Sequence, residues 1–223
     1  VTGWPLMDPY IHWFDLAGVA VFAASGALTA SRQRMDVIGF ALIAIVTGIG
    51  GGTLRDLLLG IRPVFWVAEP TPLLLCSGVA VIVFFTAHLV ESRYRLLLWA
   101  DALGLALFAV VGAERALEHG APTSVALVMG VMSATFGGLV RDVLCNELPL
   151  ILRPEIYVTA ALVGAGTFLA ADSLGLDREP ALLAGFATGF AVRAAALLFG
   201  WTFPVYKPRP GRDYPPDDPV GRR

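Results

Sequence analysis

Two short runs carry the residue types best suited to handle a solute inside an apolar protein. The first is Thr47-Gly48-Ile49-Gly50-Gly51-Gly52-Thr53-Leu54-Arg55-Asp56, and the second is Ser133-Ala134-Thr135-Phe136-Gly137-Gly138-Leu139-Val140-Arg141-Asp142. Each joins hydroxyls, glycines and an Arg-Asp pair. Glycine costs about 1 kcal/mol per helical position relative to alanine, so glycines in succession predict a kink or a local unwinding. Carbonyls released by unwinding are tolerated in a membrane only where protein buries them or water reaches them. Such oxygens can replace the hydration shell of an alkali cation. Thr47, Gly50, Gly51 and Gly52, with Ser133, Thr135, Gly137 and Gly138, are therefore the candidate ion path. Phe136 replaces the first glycine of the triplet, so the second break is expected to be milder or plugged by a ring. A phosphate loop is excluded, because no Gly-Lys-Ser/Thr follows either run and no strand precedes it.

The charged residues set a second problem. An arginine at the bilayer centre costs at least about 2.5 kcal/mol on insertion scales unless it snorkels or is paired. Neighbouring residues on a helix point about 100° apart, so Arg55 and Arg141 are expected to bypass Asp56 and Asp142 of their own helices. The candidates are Asp142 for Arg55 and Asp56 for Arg141, with Asp15 and Asp101 as rivals. These six charges form either a structural clasp or a gating element beside the path. Asp15, Gly18, Phe22 and Gly26 fall on one helix stripe, and Asp101, Gly104, Phe108 and Gly112 repeat it. Each aspartate reads either as a helix-start acid favoured by the macrodipole or as a counter-charge to a buried arginine or a cation. Arg193 is expected to snorkel toward the cytoplasmic end near Trp201. Cys76 and Cys145 read as packing residues, and His12, His88 and His119 as solvated at loops and helix ends. Neither a Ser/His/Asp or Cys/His set nor paired carboxylates within one span point to an enzyme. No cofactor is expected, and no metal beyond a monovalent cation in transit.

The elements that must position these residues follow from the composition. Of 223 residues, 57% are hydrophobic and only 15% charged, where a soluble chain carries about 25% charged. A net charge of −2 gives no reason to expect nucleic acid as a partner. The apolar blocks make seven candidate membrane helices, at 13–31, 37–60, 71–90, 96–114, 123–146, 155–172 and 180–201. Sliding the chain against itself by 86 residues aligns Trp13 with Trp99, Asp15 with Asp101, Gly51-Gly52 with Gly137-Gly138, Arg55-Asp56 with Arg141-Asp142, and Glu69 with Glu155. The chain is thus an all-α polytopic membrane protein built as two repeats, 10–90 and 96–172, with a seventh span at 180–201 and a disordered tail at 202–223. A unit of three helices is odd, so the second copy enters the membrane from the opposite side. Inverted repeats of this kind place a solute site near the midplane. Ten Arg and Lys fall on the side of the C-terminus and three on the other, which predicts a cytoplasmic C-terminus and an outer N-terminus in the cell membrane.

With its doubled Gly-Gly-x-x-Arg-Asp motif and repeated triplet of spans, residues 10–201 resemble the prokaryotic branch of the trimeric intracellular cation (TRIC) channel family. The same family has carried a glycine-transporter label and an uncharacterised-membrane-protein label. The resemblance implies a homotrimer in membrane lipid, one pore per subunit along spans one, two, four and five, and conduction of monovalent cations such as K⁺; the leading reading is a passive channel for K⁺, with Na⁺ as a second candidate. It places the kinked glycine motifs on Gly50, Gly51 and Gly52 and on Gly137 and Gly138, and the charged positions on Arg55, Asp56, Arg141 and Asp142. A carrier for a small zwitterion such as glycine is the alternative, since an arginine can hold a carboxylate while an aspartate meets an ammonium. A trimeric scaffold with a lipid-filled cavity is a third reading.

Overall fold

The apolar blocks fold as helices, and a computed structural model describes residues 9–90 and 92–204. Helix α1 spans Pro9–Arg32, α2 Val37–Leu59, α3 Phe65–Ala68 and α4 Thr71–Thr86. Then come α5 Arg93–Glu118, α6 Thr123–Leu144, α7 Val158–Ser173 and α8 Arg178–Phe199. Among the described residues the only strand-like feature is an isolated bridge between Glu155 and Thr202. The boundaries have local causes. Asp36 caps α2 by accepting from the Gly39 amide at 2.8 Å, and Ser92 caps α5 through the Arg95 amide. Gly60 ends α2 in the left-handed conformation, φ 72°, which glycine adopts without a Cβ penalty.

Six helices have the length and hydropathy to cross a membrane. The sixth expected span is shorter, the 16-residue α7 starting at Val158 rather than at Glu155. The last begins at Arg178, two residues before the expected Pro180. The tail beyond residue 204, with the Lys207, Arg209, Arg212, Arg222 and Arg223 used in the charge count, lies outside the described residues. His12, expected in a loop, lies within α1.

Helices α1 and α5 form the centre and pack on each other. Phe22 of α1 and Phe108 of α5 meet there with ring centroids 5.3 Å apart. Each ring fills the space over the other helix's glycine: Phe108 covers Gly18 and Phe22 covers Gly104. Around this axis α4 packs on α1 and α2, while α7 packs on α5 and α6. Helix α8 packs on α7 and α5 and has no counterpart on the first copy. Leu74, Ile82 and Phe85 of α4 are accordingly left exposed. In a bilayer such a face meets lipid tails, which are as apolar as leucine.

The expected unwinding does not occur. Helix α2 runs unbroken through Gly48 to Gly52, and α6 runs unbroken through Gly137 and Gly138. Phe136 is half-buried on a helix that is as continuous as α2, so there is no unwound turn for it to plug. The glycines serve a different purpose, which the α2–α6 contact makes plain.

Candidate functional site

Helices α2 and α6 cross with their backbones in contact. A methyl group on Gly51 would collide with the Ser133 carbonyl oxygen, and one on Gly137 would collide with the Thr47 carbonyl oxygen. Thr47 and Ser133 are equivalent under the 86-residue offset, and so are Gly51 and Gly137. The two contacts are one contact seen twice, as a twofold axis requires. A glycine Cα–H can donate weakly to a carbonyl at such a crossing, and the missing Cβ on both sides is what brings the helices this close. Gly26 and Gly112 repeat the device inside each copy, making room on α1 for the Thr47 hydroxyl and on α5 for Ser133.

Of the hydroxyls at the crossing, two are committed to their own helices. Thr47 Oγ1 donates to the Ile43 carbonyl at 2.6 Å, and Thr135 Oγ1 donates to that of Val131 at 2.9 Å. Ser133 Oγ is buried with no hydrogen-bond partner among the described residues. Gly50 stands apart, since a methyl there would meet the Gly137 Cα only at 3.6 Å, an ordinary contact. Gly52 gives room to the Phe65 ring, and Gly138 to Asp101, Tyr157 and Arg141.

The buried charges pair differently from the expectation. Arg55 is held by its own neighbour: Nε and Nη2 donate to Asp56 Oδ1 at 2.9 and 2.7 Å. Arg141 likewise donates from Nε to Asp142 Oδ1 at 2.8 Å. The cross-copy pairs Arg55–Asp142 and Arg141–Asp56 do not form. The 100° between neighbours separates the Cβ atoms, but a long guanidinium stem curls back over its own helix and cancels that angle. The second carboxylate oxygen then staples the chain that follows each helix. Asp56 Oδ2 accepts from the Phe65 amide at 2.9 Å, and Asp142 Oδ2 from the Leu150 amide at 3.0 Å.

One of the rivals does pair. Arg141 Nη1 donates to Asp101 Oδ1 at 2.9 Å and to Ser25 Oγ at 2.8 Å, so this guanidinium ties α6 to α5 and to α1. Its Nη2 is buried without a hydrogen bond, as is Nη1 of Arg55. Asp15 is buried, 7% exposed, within electrostatic range of Arg55 and Asp56. Asp15 and Asp101 lie well past the first turn of α1 and α5, so the helix-start reading does not apply to them.

Some participants had no sequence signal. Ser25 and Tyr157, both beside Arg141, are ordinary residues in apolar stretches. Arg193, expected to snorkel, is instead 1% exposed; it donates to Glu155 at 2.9 Å and to the Ile156 carbonyl at 3.0 Å, above the Tyr157 ring. Snorkelling fails because Glu155, just before α7, supplies a countercharge within reach. Glu114, buried in α5, forms an ion pair with Arg178 at 2.6 Å. Cys76 and Cys145 are free and buried, and Cys76 Sγ packs where a methyl on Gly48 would sit.

Comparison with known proteins places this arrangement. The family described as Glycine transporter matches residues 12–88 and 98–173. The UPF0126 inner membrane protein YadS of Escherichia coli is 38% identical over 88% of this chain and 96% of its own length. A UPF0126 membrane protein of Vibrio cholerae is 38% identical over 88% of this chain and 82% of its own length. Among solved structures, a TRIC trimeric intracellular cation channel orthologue from Rhodobacter sphaeroides is 57% identical, with a TM-score of 0.85 over 87% of this chain and all of that one. A second solved TRIC cation channel is 30% identical, with a TM-score of 0.80 over 90% of this chain and 98% of that one.

Proposed function

This chain belongs to the membrane-protein family that takes in the UPF0126 proteins and the prokaryotic TRIC channels, and from that premise we propose that it conducts monovalent cations, K⁺ foremost and Na⁺ with it. The observation that carries the reading is 57% identity over the whole of a solved TRIC cation channel orthologue. Each subunit of a homotrimer has its own path along α1, α2, α5 and α6, the N-terminus lies outside and the C-terminus in the cytoplasm.

The chemistry follows from the crossing. On this reading the path is closed where α2 and α6 meet, and the close approach at Gly51 and Gly137 supports it. Conduction requires α2 and α6 to part. Parting offers an ion the carbonyls of Thr47 and Ser133 and the hydroxyls of Thr47, Ser133 and Thr135, at positions where Gly50, Gly51, Gly52, Gly137 and Gly138 bring no side chain. Two arginines beside a cation route would repel it if bare. Each instead stands with two carboxylates, Arg55 with Asp56 and Asp15, and Arg141 with Asp142 and Asp101. The Arg141 cluster, with Asp101 and Asp142, carries one more carboxylate than guanidinium and favours a cation; at Arg55 the carboxylates offset the guanidinium. Unitary currents from purified protein in a planar bilayer test this reading: discrete K⁺-carried openings support it, and a silent bilayer with intact protein refutes it.

The match to a family described as Glycine transporter favours one rival, a carrier of a small zwitterion. A carrier gives no unitary current but exchanges labelled glycine across a liposome membrane.

A further inference from the structure

Helix α8 lies outside the repeat, and its seam with α5 is tied at one end only. There Arg178, the first residue of α8, pairs with the buried Glu114 of α5 at 2.6 Å. At the opposite end, where α5 begins and α8 stops, no hydrogen bond or ion pair joins the two helices among the described residues. The rings of Trp99 and Phe190 stand 6.2 Å apart, and beside them the seam opens into a crevice of 460 Å³. That is an ordinary size for a ligand site, which runs from about 300 to 1,000 Å³.

The lining changes character over one helical turn. Ser92, Tyr94 and Arg95, where α5 starts, supply hydroxyls and a guanidinium, while Leu98, Trp99 and Leu197 supply hydrocarbon. Ser92 Oγ accepts from the Arg95 amide and the Tyr94 hydroxyl accepts from Arg153, so each hydroxyl keeps its own proton to donate. A polar rim above an apolar slot, with Tyr and Trp at the boundary, matches the depth at which a phospholipid passes from headgroup to acyl chain.

The surrounding charges set the sign of that headgroup. Arg32 and Arg153 stand over the Tyr94 ring at 4.8 and 5.6 Å. Arg32 is offset by Glu147 at 2.9 Å, whereas Arg153 donates only to Tyr94 and the Leu148 carbonyl. Arg93 meets only the carbonyls of Ala87 and Ser31. Arg95 is exposed, and its guanidinium has no hydrogen bond or ion pair among the described residues. Four guanidiniums thus face one carboxylate partner, a balance that suits a phosphate diester and disfavours a headgroup that adds an ammonium. Basic loops are common on a cytoplasmic face; an unpaired arginine opening onto an apolar slot between two helices is not explained by that bias.

We propose that the crevice between the start of α5 and the end of α8 binds one anionic phospholipid of the cytoplasmic leaflet. Its phosphate sits on Arg95 with the hydroxyls of Ser92 and Tyr94, and its acyl chains run along Leu98, Trp99 and Leu197. The lipid closes the end of the seam that the Arg178–Glu114 pair leaves open, and so braces α8 against α5. The site stands whether or not the protein conducts; only the choice of leaflet rests on the orientation proposed above.

The test uses the full chain, purified in detergent and stripped of carried-over lipid, with bound molecules per chain counted by native mass spectrometry. It is titrated with dioleoylphosphatidylglycerol, with dioleoylphosphatidylcholine and with glycerol phosphate. One phosphatidylglycerol per chain is expected to bind, about tenfold or more tighter than either of the others, and to raise the thermal midpoint as a ligand of the folded state does. Arg95→Gln, at an exposed and unpaired position, is expected to weaken phosphatidylglycerol about tenfold, the loss of one hydrogen bond to a charged group, and to abolish the rise in midpoint. Arg34→Gln, which removes an exposed charge from the turn after α1, is expected to leave both unchanged. No binding by the wild type, equal affinity for the two lipids, or equal loss in the two variants overturns the proposal. Glycerol phosphate binding as tightly as the lipid overturns it as well, since the site would then take a soluble anion.

Discussion

The first copy keeps its buried arginine on its own helix, while the second copy hands it to three. Arg55 hydrogen-bonds to Asp56 alone, whereas Arg141 joins Asp142, Asp101 and Ser25. The copies diverge again at their equivalent glutamates. Glu155 holds Arg193 of α8 at 2.9 Å, and Glu69, with no eighth helix beside it, accepts only from the Thr71 hydroxyl at 2.8 Å. Backbone symmetry has survived the duplication where glycine decides the contact, and has been lost where a third side chain decides it. Packing against a carbonyl tolerates no substitution, so both crossings kept glycine. A charge cluster accepts any partner of the right polarity, so each copy could settle on its own.

That contrast can be broken most forcefully at the arginines. Arg141→Ala leaves Asp101 and Asp142 buried without their cation, and loss of one partner of a buried pair costs about 3–5 kcal/mol. Arg55→Ala breaks hydrogen bonds to Asp56 only, whose Oδ2 still accepts from the Phe65 amide, while Asp15 keeps the field of Arg115. The thermal midpoint of detergent-purified protein is therefore expected to fall further for Arg141→Ala, and equal falls would show the clasps to be equivalent. The glycines should behave oppositely. Gly51→Ala and Gly137→Ala force apart the same contact from its two sides, so each is expected to cost about 1–3 kcal/mol, to the same extent, and to reduce flux. Gly50→Ala, with room for its methyl, is expected to be neutral or stabilising by up to about 1 kcal/mol. Unequal costs at Gly51 and Gly137 would break the reciprocity.

A smaller effect sharpens the role of α8. Glu155→Gln removes the countercharge from a buried Arg193 that still donates to the Ile156 carbonyl, and a thermal scan should register about 1.5–3 kcal/mol, the worth of a hydrogen bond to a charged group. Glu69→Gln is expected to stay within about 0.5 kcal/mol of wild type, as surface changes do. The smallest change is expected from Phe136→Gly. It restores the glycine triplet of the first copy on a helix that is already unbroken, at about the 1 kcal/mol intrinsic cost of glycine, and should leave unitary conductance at the wild-type value.

The all-helical class and the long apolar helices that carry the motif were legible because hydropathy is a property of the chain itself, while the four-residue α3 was not. The reciprocal contacts at Gly51 and Gly137 and at Gly18 and Gly104 follow from the same 86-residue offset. What glycine does at the crossing was not legible from propensity. The helical cost of Gly50 to Gly52 predicted a break, but a packed interface repays that cost and keeps α2 continuous. The arginine partners were missed for a related reason. Helical angles locate Cβ atoms, while Arg55 and Arg141 end several bonds further out and turn back on Asp56 and Asp142. Ser25 and Tyr157 carried no pattern at all; only the folded proximity of α1, α6 and the start of α7 gives them a role.

The central claim is that the paired crossing of α2 and α6 is a cation path. Recording from the purified wild-type protein in a planar bilayer with symmetrical KCl, followed by the same preparation in a labelled-glycine exchange assay, tests it most directly. The account requires discrete single-channel openings carried by K⁺ and no saturable glycine exchange. An electrically silent bilayer from intact protein that exchanges glycine would contradict it.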